Sequence, residues 1–230
     1  MEKSKIKVIV TGVTGMVGEG VLHECLESPF IEEVLVIGRK PSGKSDPKLK
    51  EIILPDFLKP AELSSKVKGY DACFFCLGVS SLGMKEADYT EKTHTLTLGF
   101  AESIIDNNPN MTFIYVSGVG TDRTENGKIM WARVKGRTEN DLRLVGFQSF
   151  YAFRPSLIFP TKGLSHTLSF YKYINWMYPL LRAIMPSMVS TLREVGKSMI
   201  YLALHGSDKN VIEVKDIVET SKEYDRLIKI

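Results

Sequence analysis

The chain lacks any unbroken apolar run approaching the roughly 18–20 residues that a membrane-spanning helix needs. Its nearest approach, Leu168 through Met188, is interrupted by Lys172, Asn175, Pro179, Arg182 and Pro186, so no membrane span is expected. Cysteine is scarce, with only Cys25, Cys73 and Cys76, which is too few for a disulfide framework. Cys73 and Cys76 satisfy C-x-x-C by letters. They sit in an apolar strand, however, where positions three apart point to opposite faces, so they read as small core residues rather than a redox or metal pair. The histidines His23, His94, His166 and His205 have no ligand spacing, and no metal is expected. A surplus of one charge is missing too: 30 Lys and Arg against 27 Asp and Glu leave a net charge of +3. The two signs are interspersed, which excludes the basic stripe of a nucleic-acid binder. The chain runs into an apolar strand after five residues, so no secretory leader is expected, and the cytoplasm is the expected location.

What is present is alternation. Apolar runs at Ile6–Val10, Val34–Ile37, Glu51–Leu54, Ala72–Leu77, Phe113–Val116 and Phe150–Phe153 are separated by amphipathic stretches such as Met16–Glu27 and Ala87–Asn107. Near-continuous apolar strands, each followed by a helix, predict an α/β fold with a parallel sheet covered on both faces. Ser28-Pro29 and Asn107-Asn108-Pro109 mark helix ends. The last third differs: an aromatic-rich segment spans Leu164–Met188, and Thr191–Leu204 opens with the capping-box pattern Thr191-x-x-Glu194. A short strand, Val211–Val214, and a charged helix follow. The expectation is one domain over residues 1–230, a cofactor half to about 160 and a small C-terminal elaboration from about 161.

The segment Val8-Ile9-Val10-Thr11-Gly12-Val13-Thr14-Gly15-Met16-Val17-Gly18 directly follows the first predicted strand and opens the first predicted helix. In that context glycines make a phosphate loop. Gly12 permits the tight turn, Gly15 lets the backbone approach a pyrophosphate, and Gly18 lets helix pack on strand. Thr14, Met16 and Val17 share the loop, whose helix end offers free N–H groups to an anion. About 20 residues on, NAD enzymes place an acid against the ribose 2′-hydroxyl. This chain has Gly38-Arg39-Lys40 instead, so Arg39, with Lys40 as a second cation, is positioned for a 2′-phosphate. NADP(H) is the expected cofactor, with NAD(H) as the alternative.

The spacing G-x-x-G-x-x-G resembles the short-chain dehydrogenase/reductase superfamily, in its extended and atypical branches. "CLGVSS", "YVSGVG", "VKGRTEN" and "FRPSLIFP" carry a further likeness to NAD-dependent epimerase/dehydratase-like members and to the Tat-interacting tumour-suppressor oxidoreductase group. The resemblance covers nearly the whole chain and implies a Rossmann fold, a doubly wound parallel sheet. It implies that Asp56 and Phe57 flank the adenine and that Leu77 and Gly78 pass its ribose. It implies that Pro155 and Leu157, either side of a Ser156 that replaces the usual glycine, bring backbone to the carboxamide. It also implies catalytic roles: Ser117 bonds the substrate carbonyl, and Lys135 holds the nicotinamide ribose. In the superfamily a tyrosine four residues before that lysine donates the proton. Here Trp131 occupies that position, one helical turn from Lys135 and on the same face.

An indole N–H donates a hydrogen bond but does not ionise usefully, so Trp131 is no general acid. Loss of a general acid slows a reaction by about 10²–10⁴, tolerable when the product takes its proton from water. The expectation is an NADP(H)-dependent reductase of an apolar carbonyl, enone or quinone. The alternatives are an NAD-dependent epimerase/dehydratase, or an NADP(H) sensor or scaffold without turnover. Tyr115, on the same strand face as Ser117, is a weaker candidate donor. The rings of Phe170, Tyr171, Tyr173, Trp176 and Tyr178 suit a flat apolar substrate, a homodimer contact or a membrane surface, and equally a packed subdomain core.

Overall fold

The structure, a computed structural model, describes residues 5–166 and 175–229. Its seven-stranded parallel sheet follows the order β3-β2-β1-β4-β5-β6-β9. The strands are β1 (Ile6–Thr11), β2 (Ile31–Gly38), β3 (Leu49–Ile53), β4 (Ala72–Phe75), β5 (Thr112–Val116), β6 (Ser149–Arg154) and β9 (Val211–Glu213). A doubly wound sheet of this order reverses between β1 and β4, and the crevice outside the carboxyl ends there is where such folds bind ligands. The Rossmann expectation from sequence is met.

Strand alternation sorts the core into two layers. Val8, Val10, Phe74, Ile114 and Phe153 face α1 (Met16–Glu27), α7 (Leu192–His205) and α8 (Val214–Ile228). Ile9, Cys73, Phe75, Phe113 and Tyr115 face α2 (Leu63–Lys66), α4 (Leu96–Ile105) and α5 (Met130–Leu142). Cys73 and Cys76 thus lie on opposite sides of the sheet. Burial pushes the Cys73 thiol well up and that of Cys76 up to about 12, consistent with core residues.

Several boundaries move for identifiable reasons. β4 ends at Phe75, two residues early, because Leu77 N–H turns away to donate to Thr11 Oγ1 at 3.3 Å. Val214 begins α8 rather than ending a strand, since Glu213 and Asp216 form a reciprocal cap. The long helix expected over Ala87–Asn107 is α3 (Glu86–Thr90), a π turn (Glu91–Thr95) and α4. Thr191 caps α7 as its sequence pattern predicts, with Glu194 N–H donating to Thr191 Oγ1 at 3.1 Å. A small second sheet was not foreseen: β7 (Leu157–Phe159) pairs with β8 (Val189–Thr191).

The aromatic segment is described in part. Asn175–Met177 form a 3-10 turn and Tyr178–Ile184 form α6. Tyr178 packs edge-on against Phe159, and Arg182 pairs with Glu194 at 2.7 Å. Trp176, Leu180 and Ile184 are exposed. Phe170, Tyr171 and Tyr173 lie outside the described residues.

Candidate cofactor and active site

The glycine loop is tight because it must be. Gly12 sits at φ +71°, and a Cβ there would come within 2.6 Å of the carbonyl oxygen of Cys76, the residue after β4. A Cβ at Gly18 would come within 2.2 Å of Gly12 O, so helix and loop touch through bare backbone. Gly15 is the α1 N-cap and meets nothing closer than 3.4 Å, leaving its outer side open. No side-chain cap takes the amides of the first turn, which stay available to a phosphate. Thr14 is exposed there, whereas Met16 and Val17 turn inward as partly buried members of the core clusters.

Glu19, in the same turn, was missed by the sequence reading. It is buried and points away from the loop, accepting the amides of Ser165 at 2.9 Å and His166 at 2.7 Å. Burial would raise its carboxyl, but those amides, with the His166 and Lys44 side chains, hold it below the usual carboxylate range. The phosphate-loop helix thereby anchors the start of the C-terminal elaboration.

Beside the loop, a cleft of about 210 Å³ is lined by Arg39, Asp56, Phe57, Leu77, Gly78 and Lys92, among others. Five of these six were named from sequence. Lys92 was not, and Lys40, exposed on the neighbouring loop, does not line the cleft. Phe57 is a wall fixed from behind by Phe100, with ring centroids 5.8 Å apart. Asp56 Oδ1 accepts the Leu58 amide at 2.9 Å. Arg39 lines the cleft together with Asp56 and forms no ion pair among the described residues.

On the same carboxyl edge of the sheet, two strands from β1, Ser117 follows β5 and is 5% exposed. Its hydroxyl donates to Glu139 Oε1 at 2.6 Å. Glu139 is fully buried and takes a two-point grip from Arg154, with Nε donating to Oε1 at 2.9 Å and Nη2 to Oε2. This Ser117–Glu139–Arg154 network went unread in the sequence, although "VKGRTEN" and "FRPS" contain both charges. Lys135 Nζ donates to the Ser117 carbonyl. Burial pushes the Lys135 ammonium down to about 8, against the opposing pull of Glu139.

Trp131 starts α5 and lies against the loop after β5, where a Cβ on Gly120 would sit 3.5 Å from its ring. That loop is held across the helix by Asp122, whose amide donates to the Ala132 carbonyl at 3.0 Å and whose carboxylate accepts the Gly127 amide at 2.7 Å. A Cβ on Gly136 would approach Asp122 O to 1.7 Å, so only glycine fits. Tyr115 is buried among Phe75 and its neighbours at 1% exposure, and burial drives its hydroxyl strongly upward. The Pro155 carbonyl accepts Val119 N–H at 3.0 Å, and Leu157 N–H donates to Met188 O at 3.0 Å, so both groups already have protein partners.

Among the described residues no cluster of side chains could hold a metal, and no helix is long and apolar enough to cross a membrane. The model of the NAD dependent epimerase/dehydratase family matches residues 8–123, just over half of the chain. The mitochondrial protein fmp52 of Aspergillus clavatus is 29% identical over 157 residues, 66% of either chain, so the match spans just under two thirds of that relative. Its Debaryomyces hansenii counterpart is 25% identical across 97% of this chain and 99% of its own. Among solved structures, the Bordetella bronchiseptica enzyme WbmF in complex with NAD+ superposes with a TM-score of 0.65 at 13% identity, over 100% of this chain and 80% of that one. A short chain dehydrogenase from Burkholderia cenocepacia in complex with NADP also gives 0.65, at 14% identity over 99% and 97%. The fold is therefore shared with binders of both dinucleotides. The cytoplasmic expectation is overturned by the relatives, which are named mitochondrial proteins. The short start before β1 had been read as leaving no room for a secretory leader, with the cytoplasm as the default, and that default does not follow from the residue pattern.

Proposed function

The chain belongs to the NAD dependent epimerase/dehydratase family, and from that premise we propose that it is an NADP(H)-dependent reductase of an apolar carbonyl, enone or quinone. The observation that carries the reading is Arg39, which forms no ion pair among the described residues, in the cleft beside the glycine loop, where no acid ends β2. The residues fit a dinucleotide: Gly12 and Gly18 keep the loop tight against β4's end and α1, Gly15 leaves its outer side open to a pyrophosphate, the first turn of α1 offers free amides, and Arg39 meets a 2′-phosphate. When bound, the cofactor supplies a hydride. Lys135 holds the nicotinamide ribose, and Trp131 walls the site from the same helical face. Ser117 polarises the acceptor oxygen after its hydroxyl rotates off Glu139. With Tyr115 locked in the core and Trp131 unable to ionise, the product takes its proton from water, which favours quinone and enone acceptors over sugars.

A side-by-side titration of NADPH and NADH, following Trp131 quenching with Trp131→Phe to subtract Trp176, tests this. Preference for NADPH with a Trp131-dependent signal, then turnover of a quinone or enone that Ser117→Ala abolishes without changing cofactor affinity, is the expected result. Equal or tighter NADH binding would move an NAD-dependent epimerase/dehydratase to the front, as the family description suggests. NADPH binding with no turnover across the panel would instead leave a nucleotide-dependent sensor.

A further inference from the structure

We propose that Lys92, delivered by the π turn between α3 and α4, is the second cation of the adenosine site and a determinant of NADP(H) over NAD(H). The inference rests on the NADP(H) reading above and names the residue that completes it. In an uninterrupted helix each amide donates four residues back. Here Leu96 N–H donates to Glu91 O, five back, so one extra residue is accommodated in the turn. Such single-turn insertions re-aim the side chains that follow and occur often at functional sites.

The turn is held in this rotation from its other side. Thr93 and His94 are buried, and His94 Nε2 meets Asp141 Oδ2 on α5 at 2.6 Å. With those two positions turned inward, Lys92 and Leu96, one turn apart, both line the cleft that holds Arg39. Arg39 follows the end of β2 and Lys92 lies in the turn before α4, so two cations from separate elements line one space of about 210 Å³. Neither has an ion-pair partner among the described residues.

The remaining lining favours a nucleoside. Phe57, Leu77, Val79 and Leu96 provide apolar walls for a base, and Gly78 lets backbone come close. The one acid, Asp56, already accepts the Leu58 amide. Apolar walls with two cations that form no ion pair among the described residues match an adenosine carrying an extra phosphate better than one carrying a hydroxyl, because a phosphate dianion can be shared by two donors. Lys40, the second cation expected from sequence, is absent from this lining.

The test uses adenosine 2′,5′-bisphosphate and 5′-AMP as probes, titrated calorimetrically against the full chain as wild type, Lys92→Met, Lys92→Arg and Arg39→Ala. Removing one charge-assisted contact should weaken the bisphosphate about tenfold or more, leave 5′-AMP within about twofold, and be largely restored in Lys92→Arg. Lys92 is exposed, and matching thermal midpoints will show that the variants remain folded. A Lys92→Met protein that binds both probes like wild type, or loses both equally, overturns the assignment. If Arg39→Ala then still removes the preference for the bisphosphate, the cofactor reading stands without Lys92. A wild type with no preference between the probes defeats the cofactor reading itself.

Discussion

Lys135 offers the sharpest quantitative test, since its ammonium is held in a buried position with the Ser117 carbonyl as hydrogen-bond partner. Burial lowers its pKa from 10.5 to about 8. At about 1.4 kcal/mol per unit, holding the charge inside the fold costs about 3 kcal/mol near neutrality. Because the folded value lies below the unfolded one, the penalty is fully present below about pH 8. It is relieved as pH rises from about 8 to 10.5, where the folded protein has released a proton that the unfolded chain still binds. Buried hydroxyls and thiols such as Tyr115 and Cys76 act oppositely, their raised values making stability fall at alkaline pH. The difference between wild type and Lys135→Met cancels them. Urea melts of both proteins at pH 7, 8, 9 and 10 should show wild type gaining on the variant by up to about 3 kcal/mol across the range. A stability difference that stays flat from pH 7 to 10 would refute the reasoning, since it would mean that the ammonium is solvated in the folded state.

Two further outcomes follow from packing. Gly136→Ala drives a methyl into the Asp122 carbonyl, so it should destabilise by about 2–3 kcal/mol, and limited proteolysis should cut within 121–127 faster than in wild type. Glu139→Gln strands the Arg154 charge, 12% exposed, and should cost about 3–5 kcal/mol in a denaturant melt. The double change Glu139→Gln, Arg154→Met should recover a good part of that loss, and failure to recover would show that the pair is not the source.

Much of the cofactor half was legible because its signals are local. Strand alternation, the glycine spacing of Gly12, Gly15 and Gly18, and the Thr191–Glu194 cap each depend on neighbours within a few positions, so the letters carry the geometry. Arg39 was read from its place just after β2 and Leu77 and Gly78 from the family resemblance, and all three line one cleft. Glu139 and Arg154 were passed over although both stand in quoted motifs. Their 15-residue separation gives no periodic signal, and nothing local says that a charge on α5 turns inward. Lys92 was passed over because nothing local says which cleft a cation on an exposed helix face will border. The short pairing of β7 with β8 joins segments some thirty residues apart, beyond any pattern of local alternation.

The amino-acid sequence by itself determined the alternation of the main-sheet strands with helices, the glycine loop after β1 and the tryptophan four residues before Lys135, because these are matters of residue identity and short-range spacing. Tertiary structure decided which charges meet. It paired Glu139 with Arg154, buried Lys135 against the Ser117 carbonyl, left Arg39 unpaired and carried Lys92 into its cleft. Those outcomes depend on where distant segments cross and how much water they exclude, and electrostatic interactions are set by distance and burial rather than by position along the chain.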